Sequence, residues 1–158
     1  MIVRTVSTGN PVNTGNNAPA GQSIDELWIM TFSVIGIRMG VDVGQVSRML
    51  EPGQAEVEEL QVVAIHERLS FRDRNVSYRS PRILLLRDRG TVGVMIDQPE
   101  DIIAVKLDHI RPLPPVFGAG MKTTIVWGVA LIEEEIVLLV DLFQLVAACN
   151  FSQGERRE

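Results

Sequence analysis

Cysteine, histidine, lysine and aromatic residues are all scarce in this chain, and each shortage closes off a class of function. One cysteine among 158 residues cannot form an internal disulfide or build a multi-cysteine metal site. It fits a reducing, cytoplasmic setting. The two histidines, His66 and His109, stand outside any H-E-x-x-H or comparable zinc spacing. No G-x-S-x-G elbow and no Walker-type loop is present, so the chain offers no catalytic set and no cofactor cradle. Lysine occurs only at Lys106 and Lys122, and the formal net charge is −5. An acidic balance argues against general nucleic-acid binding, which rests on cationic contacts to phosphates. No stretch reaches the roughly 18 consecutive apolar residues of a membrane span, and the first residues lack the basic start and apolar core of a signal peptide. Direct membrane insertion is therefore not expected.

What remains is an aliphatic, globular composition: 46% hydrophobic residues with only 5% aromatic. The length suits one domain or two small lobes. Residues 1–23 are rich in Gly, Asn, Thr and Ser, and read as a tail that cannot offset its own chain entropy. The folded part is expected over 24–150, followed by a polar tail at 151–158. Leu27–Val34 is apolar and β-rich. Val34-Ile35-Gly36 links it to an alternating run through Val43, which predicts a hairpin. Val43–Leu50 reads as a short helical turn and Leu60–Ile65 as a strand. Arg82–Arg87 and Thr91–Asp97 form a second hairpin, with Gly90 expected to supply the turn. Thr124–Ile132 and Ile136–Val140 form a third around Glu133–Glu135. Asp141 is placed to cap a final helix whose apolar face carries Leu142, Leu145, Val146 and Cys149. About seven to nine short strands separated by turn signals predict an all-β sandwich or barrel.

Candidate chemistry is thin. Seven arginines lie between Arg68 and Arg89, and arginine forks suit carboxylates and phosphates. They read either as a solvated segment paired with the acidic stretches at 56–59 and 133–135, or as an anion-binding patch. Asp97, Glu100 and Asp101 cluster near a strand end, where a solvated loop is the simpler reading than a cation site. His66 is read as a surface histidine and Cys149 as buried and inert.

Three stretches resemble the CheW-like domain family, the coupling proteins of bacterial chemotaxis and the matching regulatory domains of CheA histidine kinases. ELWIMTFSVIGIRMGVDVGQVSRML (Glu26–Leu50) is similar to the family's first hairpin and the V-x-x-V turn after it. TVGVMIDQPEDIIAVKLDHIRPLP (Thr91–Pro114) and IVWGVALIEEEIVLLVDLFQLV (Ile125–Val146) are similar to its middle pattern and its closing hairpin and helix. The resemblance implies two small SH3-like β-barrels, each of five strands, with a short C-terminal helix. It implies a non-catalytic adaptor, without metal or cofactor, whose partners are a CheA-like histidine kinase, a chemoreceptor of the methyl-accepting type, or other CheW-like domains. It also points to Val43, Val46 and Met49 as part of a partner-binding groove, although the same three residues read equally well as core that closes a lobe. The family's usual Arg-Gly strand has no counterpart after Leu50, so one lobe is either short of a strand or uses the 55–60 segment in its place. Two alternatives stay open: a regulator that binds one partner without coupling two, and a small β-barrel that holds an anion through the Arg68–Arg89 segment.

Overall fold

The computed structural model describes residues 2–5, 25–69, 75–113 and 125–150. In chain order the elements are β1 (Ile2–Thr5), β2 (Glu26–Val34), β3 (Ile37–Asp42), a 3-10 turn (Val43–Gln45), β4 (Val46–Leu50), α1 (Pro52–Val57), β5 (Gln61–Ala64) and α2 (Ile65–Arg68). There follow β6 (Arg82–Leu86), β7 (Val92–Ile96), β8 (Asp101–Lys106), a second 3-10 turn (Leu107–His109), β9 (Ile110–Arg111), β10 (Val126–Ile132), β11 (Glu135–Val140) and α3 (Leu142–Asn150). Strands dominate, as expected, and the sheets curl into two lobes. The larger sheet runs β1-β8-β2-β3-β11-β10-β9 and the smaller β4-β6-β7-β5. The chain opens in the large lobe, crosses to the small one after β3, and returns at β8. The small lobe is thus an insertion within the large one.

The three expected hairpins form. β2 pairs antiparallel with β3 through Val34↔Ile37, and its link has positive φ at both Ile35 and Gly36. β10 and β11 close around Glu133 and Glu134, again with positive φ at both central residues. That is the sense of turn whose twist matches the flanking strands. In the β6–β7 link the left-handed residue is Asp88, at φ 61, rather than Gly90. A short polar side chain tolerates that conformation better than most. Gly90 lies in a second turn, closed by the Val92 N–H donating to the Arg89 carbonyl at 2.8 Å.

Two further expectations change. The 43–50 segment is a helical turn only over Val43–Gln45 and becomes strand β4 beyond it. Val43, Val46 and Met49 recur at helical spacing, but pairing of Val46↔Leu86 through Leu50↔Ile83 takes the chain into the sheet. At the other end, Ile2–Thr5 lies within the segment read as a tail yet pairs parallel with β8, Ile2↔Asp101 through Thr5↔Ala104. This apolar start has a strand-forming character that the composition of residues 1–23 as a whole conceals.

Packing divides into one shared core and two smaller ones. Inside the large lobe lie Ile29, Ile103, Val105, Ala130, Ile132, Val137 and Leu139. The opposite face of β2 and β3 (Met30, Phe32, Val34, Met39 and Val41) packs with Val46, Leu84, Leu86, Val94 and Ile96 of the small lobe, and with Leu142, Leu145 and Val146 of α3. Gly40 shows how tight the large lobe is: a Cβ there would collide with the Ile29 side chain. A third cluster, Leu50, Ala55 and Ile83, seats α1 on the outer face of the small sheet.

Candidate partner-docking surfaces

The passage between lobes is built around the first 3-10 turn. Asp42 caps it, its carboxylate accepting from the Gly44 N–H at 2.7 Å. Gln45 reaches across to α3: its amide nitrogen donates to Asp141 Oδ1 at 2.9 Å, and its amide oxygen accepts from the Leu142 N–H at 2.9 Å. Arg87 binds the same turn from the small lobe, donating through Nε to the Gly44 carbonyl at 2.9 Å and through a terminal nitrogen to that of Val46 at 3.3 Å. Asp141 also caps α3 as expected, accepting from the Phe143 and Gln144 N–H groups. Sequence reasoning singled out the apolar residues of this turn and missed the two polar ones that fasten it. Their partners lie 41 to 97 positions away, so no local pattern betrays them.

The three candidate groove residues separate on folding. Val46 is buried in the shared core, Val43 is half-buried against it, and Met49 on β4 is 39% exposed. The turn and β4 therefore present two apolar side chains, Val43 and Met49, each only partly to solvent.

A larger apolar surface lies elsewhere. β10 is apolar on both faces: Val126, Gly128, Ala130 and Ile132 point inward, while Trp127, Val129 and Leu131 face outward. Register sets Leu131 opposite Ile136 and Val129 opposite Leu138. Leu131 is 62% exposed, Ile136 66% and Trp127 41%. Leu131 and Ile136, with Val129 and Leu138, line an apolar cavity of about 170 Å³ that His109 and Arg111 also border. Grouped exposed aliphatic residues of this kind mark interaction sites, unlike single ones. The signal in the sequence was an alternating strand with no polar phase, VWGVALI.

Several charged groups are tied internally. Arg38 lies largely buried among Glu135 at 2.7 Å, Asp101 at 3.4 Å and Glu100 at 3.5 Å, and Ser33 donates to Glu100 at 2.6 Å. This one guanidinium clips β3, β8 and β11 together. Arg48 pairs with Glu58. Within the acidic stretches at 56–59 and 133–135, Glu58 thus finds Arg48 and Glu135 finds Arg38. Within that segment Arg82 donates to Ser80 Oγ and the Pro81 carbonyl, Arg87 serves the interlobe turn, and Arg89 stands 6.0 Å from the Phe143 ring. Arg72 and Arg74 lie outside the described residues. Arg82, Arg87 and Arg89 thus serve three different sets of partners.

Asp97 accepts backbone N–H groups from Ser80 and Gln98, each at 2.9 Å, and from Arg79 at 3.3 Å. Burial alone would raise its pKa, but these donors and the Arg79 charge hold it below the usual carboxylate value. His66 is half-buried rather than superficial, its Nδ1 2.6 Å from the Tyr78 hydroxyl. Burial pushes Tyr78 up to about 12. Among the described residues no His, Cys, Asp and Glu group is arranged to hold a metal. None of the described helices is long and apolar enough to cross a membrane. The Cys149 side chain lies outside the described residues.

The sequence profile of the CheW-like domain matches residues 29–149. The chain belongs to the CheW-like domain family. The chemotaxis protein CheW of Klebsiella aerogenes is 26% identical over 98 residues, which make up 61% of this chain and 58% of that protein. The chain thus matches little more than half the length of that relative. The scaffolding protein TtCheW from Thermoanaerobacter tengcongensis has a similar fold, with a TM-score of 0.62 at 20% identity over 76% of this chain and 92% of that one. Within this CheW-like domain, residues 55–60 complete α1 and turn through Glu59 at φ 54. They supply no strand, and the small sheet has four strands among the described residues.

Proposed function

We propose that this CheW-like domain is a non-catalytic cytoplasmic scaffold of a chemotaxis-type signalling system that binds a CheA-type histidine kinase and a chemoreceptor. One observation carries the reading: the outward face of β10 and β11 presents Trp127, Leu131 and Ile136 to solvent on a fold whose interior is already filled. Burying such side chains is worth about 1.5–3 kcal/mol each, enough to anchor a partner domain. The turn at Val43, Val46 and Met49 is the second proposed contact. Met49 offers the exposed side chain, Val43 a shoulder, and Val46 supports both from the core. Charged neighbours such as Arg111 and Arg48 would tune partner choice and encounter rate more than affinity.

The four-stranded small sheet favours a second reading, a regulator that binds one partner and does not couple two. Pull-down of the full chain against the cognate kinase and the cytoplasmic tip of the receptor separates the two. Capture of both is the expected result. Capture of one alone selects the regulator, and capture of neither removes the scaffold reading.

A further inference from the structure

Two strands end each sheet: β1 and β9 in the large one, β4 and β5 in the small one. A free strand edge offers unpaired N–H and C=O groups, and proteins commonly blunt it with a bulge, a charge, a proline or brevity. β9 has only two residues. β1 carries Arg4. β4 breaks register between Val46 and Arg48, and Arg48 is tied to Glu58. β5, Gln61-Val62-Val63-Ala64, has no charge, no proline and an unbroken register with β7.

Its free side has a definite polarity. The Gln61 N–H donates to the Thr91 carbonyl at 2.8 Å, on the β7 side. Successive backbone groups of a strand point to opposite edges, so the Val62 N–H and C=O point away from β7. No other strand pairs with β5 among the described residues. Val62 itself is 39% exposed. Exposed carboxylates bracket this apolar strand, Glu56 and Glu59 before it and Glu67 after it. A second copy of the chain pairing here would set carboxylate near carboxylate, which is unfavourable across strands.

We propose that the free edge of β5 accepts an extended segment of another protein, with apolar residues at alternate positions and lysine or arginine at its ends. Backbone hydrogen bonds to Val62 would hold it, and the flanking carboxylates would select the basic ends. This site is separate from the β10–β11 surface and does not depend on it.

The test uses the full chain and a synthetic valine–threonine peptide flanked by lysine pairs, with backbone amide exchange read by NMR. With the peptide at saturation, exchange at the Val62 amide is expected to slow by about tenfold or more. Val62→Pro removes that donor while leaving the Gln61 and Val63 donors on β7, and should weaken peptide binding about tenfold. Native protection along β7 checks that this variant folds. A glutamate-flanked peptide should bind at least about tenfold more weakly, and E59K with E67K should erase the preference for lysine flanks. No slowing at Val62, unchanged binding by the proline variant or by the double charge variant, or protection confined to β10 and β11 would each overturn the proposal.

Discussion

The two lobes solve the same packing problem differently. The large lobe has a core of its own, with Ile29, Ile103, Ile132 and Leu139 enclosed by its curled sheet. The small lobe has only the outer cluster of Leu50, Ala55 and Ile83 to itself; the inner face of its sheet is the shared core, completed by Phe32, Met39 and Val41 from the other lobe and by α3. Small units bury too little apolar surface to stand alone, so the small lobe borrows. The consequence for function is that the large lobe can leave the outer face of β10 and β11 uncovered. The small lobe must keep its connecting turn fastened by Gln45 and Arg87.

Breaking the shared core should have the largest effect. Phe32→Ala is expected to cost about 3–5 kcal/mol. Because Phe32 serves both lobes, urea denaturation followed by amide exchange should show strands of both lobes losing protection together. Independent loss of the small lobe alone would show that the dependence runs differently. Next comes the fastening. Gln45→Ala and Arg87→Ala each remove hydrogen bonds between lobes, expected at about 1–2 kcal/mol apiece. Since both hold the same turn, the double variant should depart from additivity. Calorimetric melting of the two single variants and the double checks this.

The smallest effect concerns Tyr78 beside His66. Its pKa is pushed up to about 12 by burial, above the ordinary value near 10. A folded-state pKa above the unfolded one contributes stability that is complete below pH 10 and lost as pH rises toward 12. Tyr78 is the only tyrosine in the chain, so absorbance at 295 nm titrates it directly. The native chain should ionise near pH 12 and the urea-unfolded chain near 10. A native midpoint at 10 would remove the burial assigned to this side chain.

Much of the fold was legible because its signals are local. Alternation and paired turn residues mark β2–β3, β6–β7 and β10–β11, and Asp141 announces α3. What escaped depends on distant partners. Val43–Leu50 carries a helix-like spacing, and only β6, more than thirty positions away, converts its second half to strand. Helix α1 hid in an acidic run, although Pro52 at its first position and the Glu51 N–H donating to Gln54 at 2.9 Å are ordinary start signals. Of the candidate site, Met49 was placed at the surface and Val46 in the core, a division that spacing alone does not make. The arginine-rich segment drew notice through its count. Arg87 serves carbonyls and Arg89 faces an aromatic ring, contacts that charge arithmetic does not register.

On the proposed function, the uncovered face of the large lobe is where the kinase would dock. The measurement is calorimetric titration of the cognate CheA-type kinase into the native chain, the Leu131→Glu, Ile136→Glu double variant, and Met49→Glu. Both sites are exposed, so stability should change by no more than about 0.5 kcal/mol per substitution. The double variant should lose about thirtyfold or more in affinity, as expected when central anchors are removed, and Met49→Glu should lose less. A double variant that folds normally and binds the kinase as tightly as the native chain would rule out this face as the kinase-docking surface.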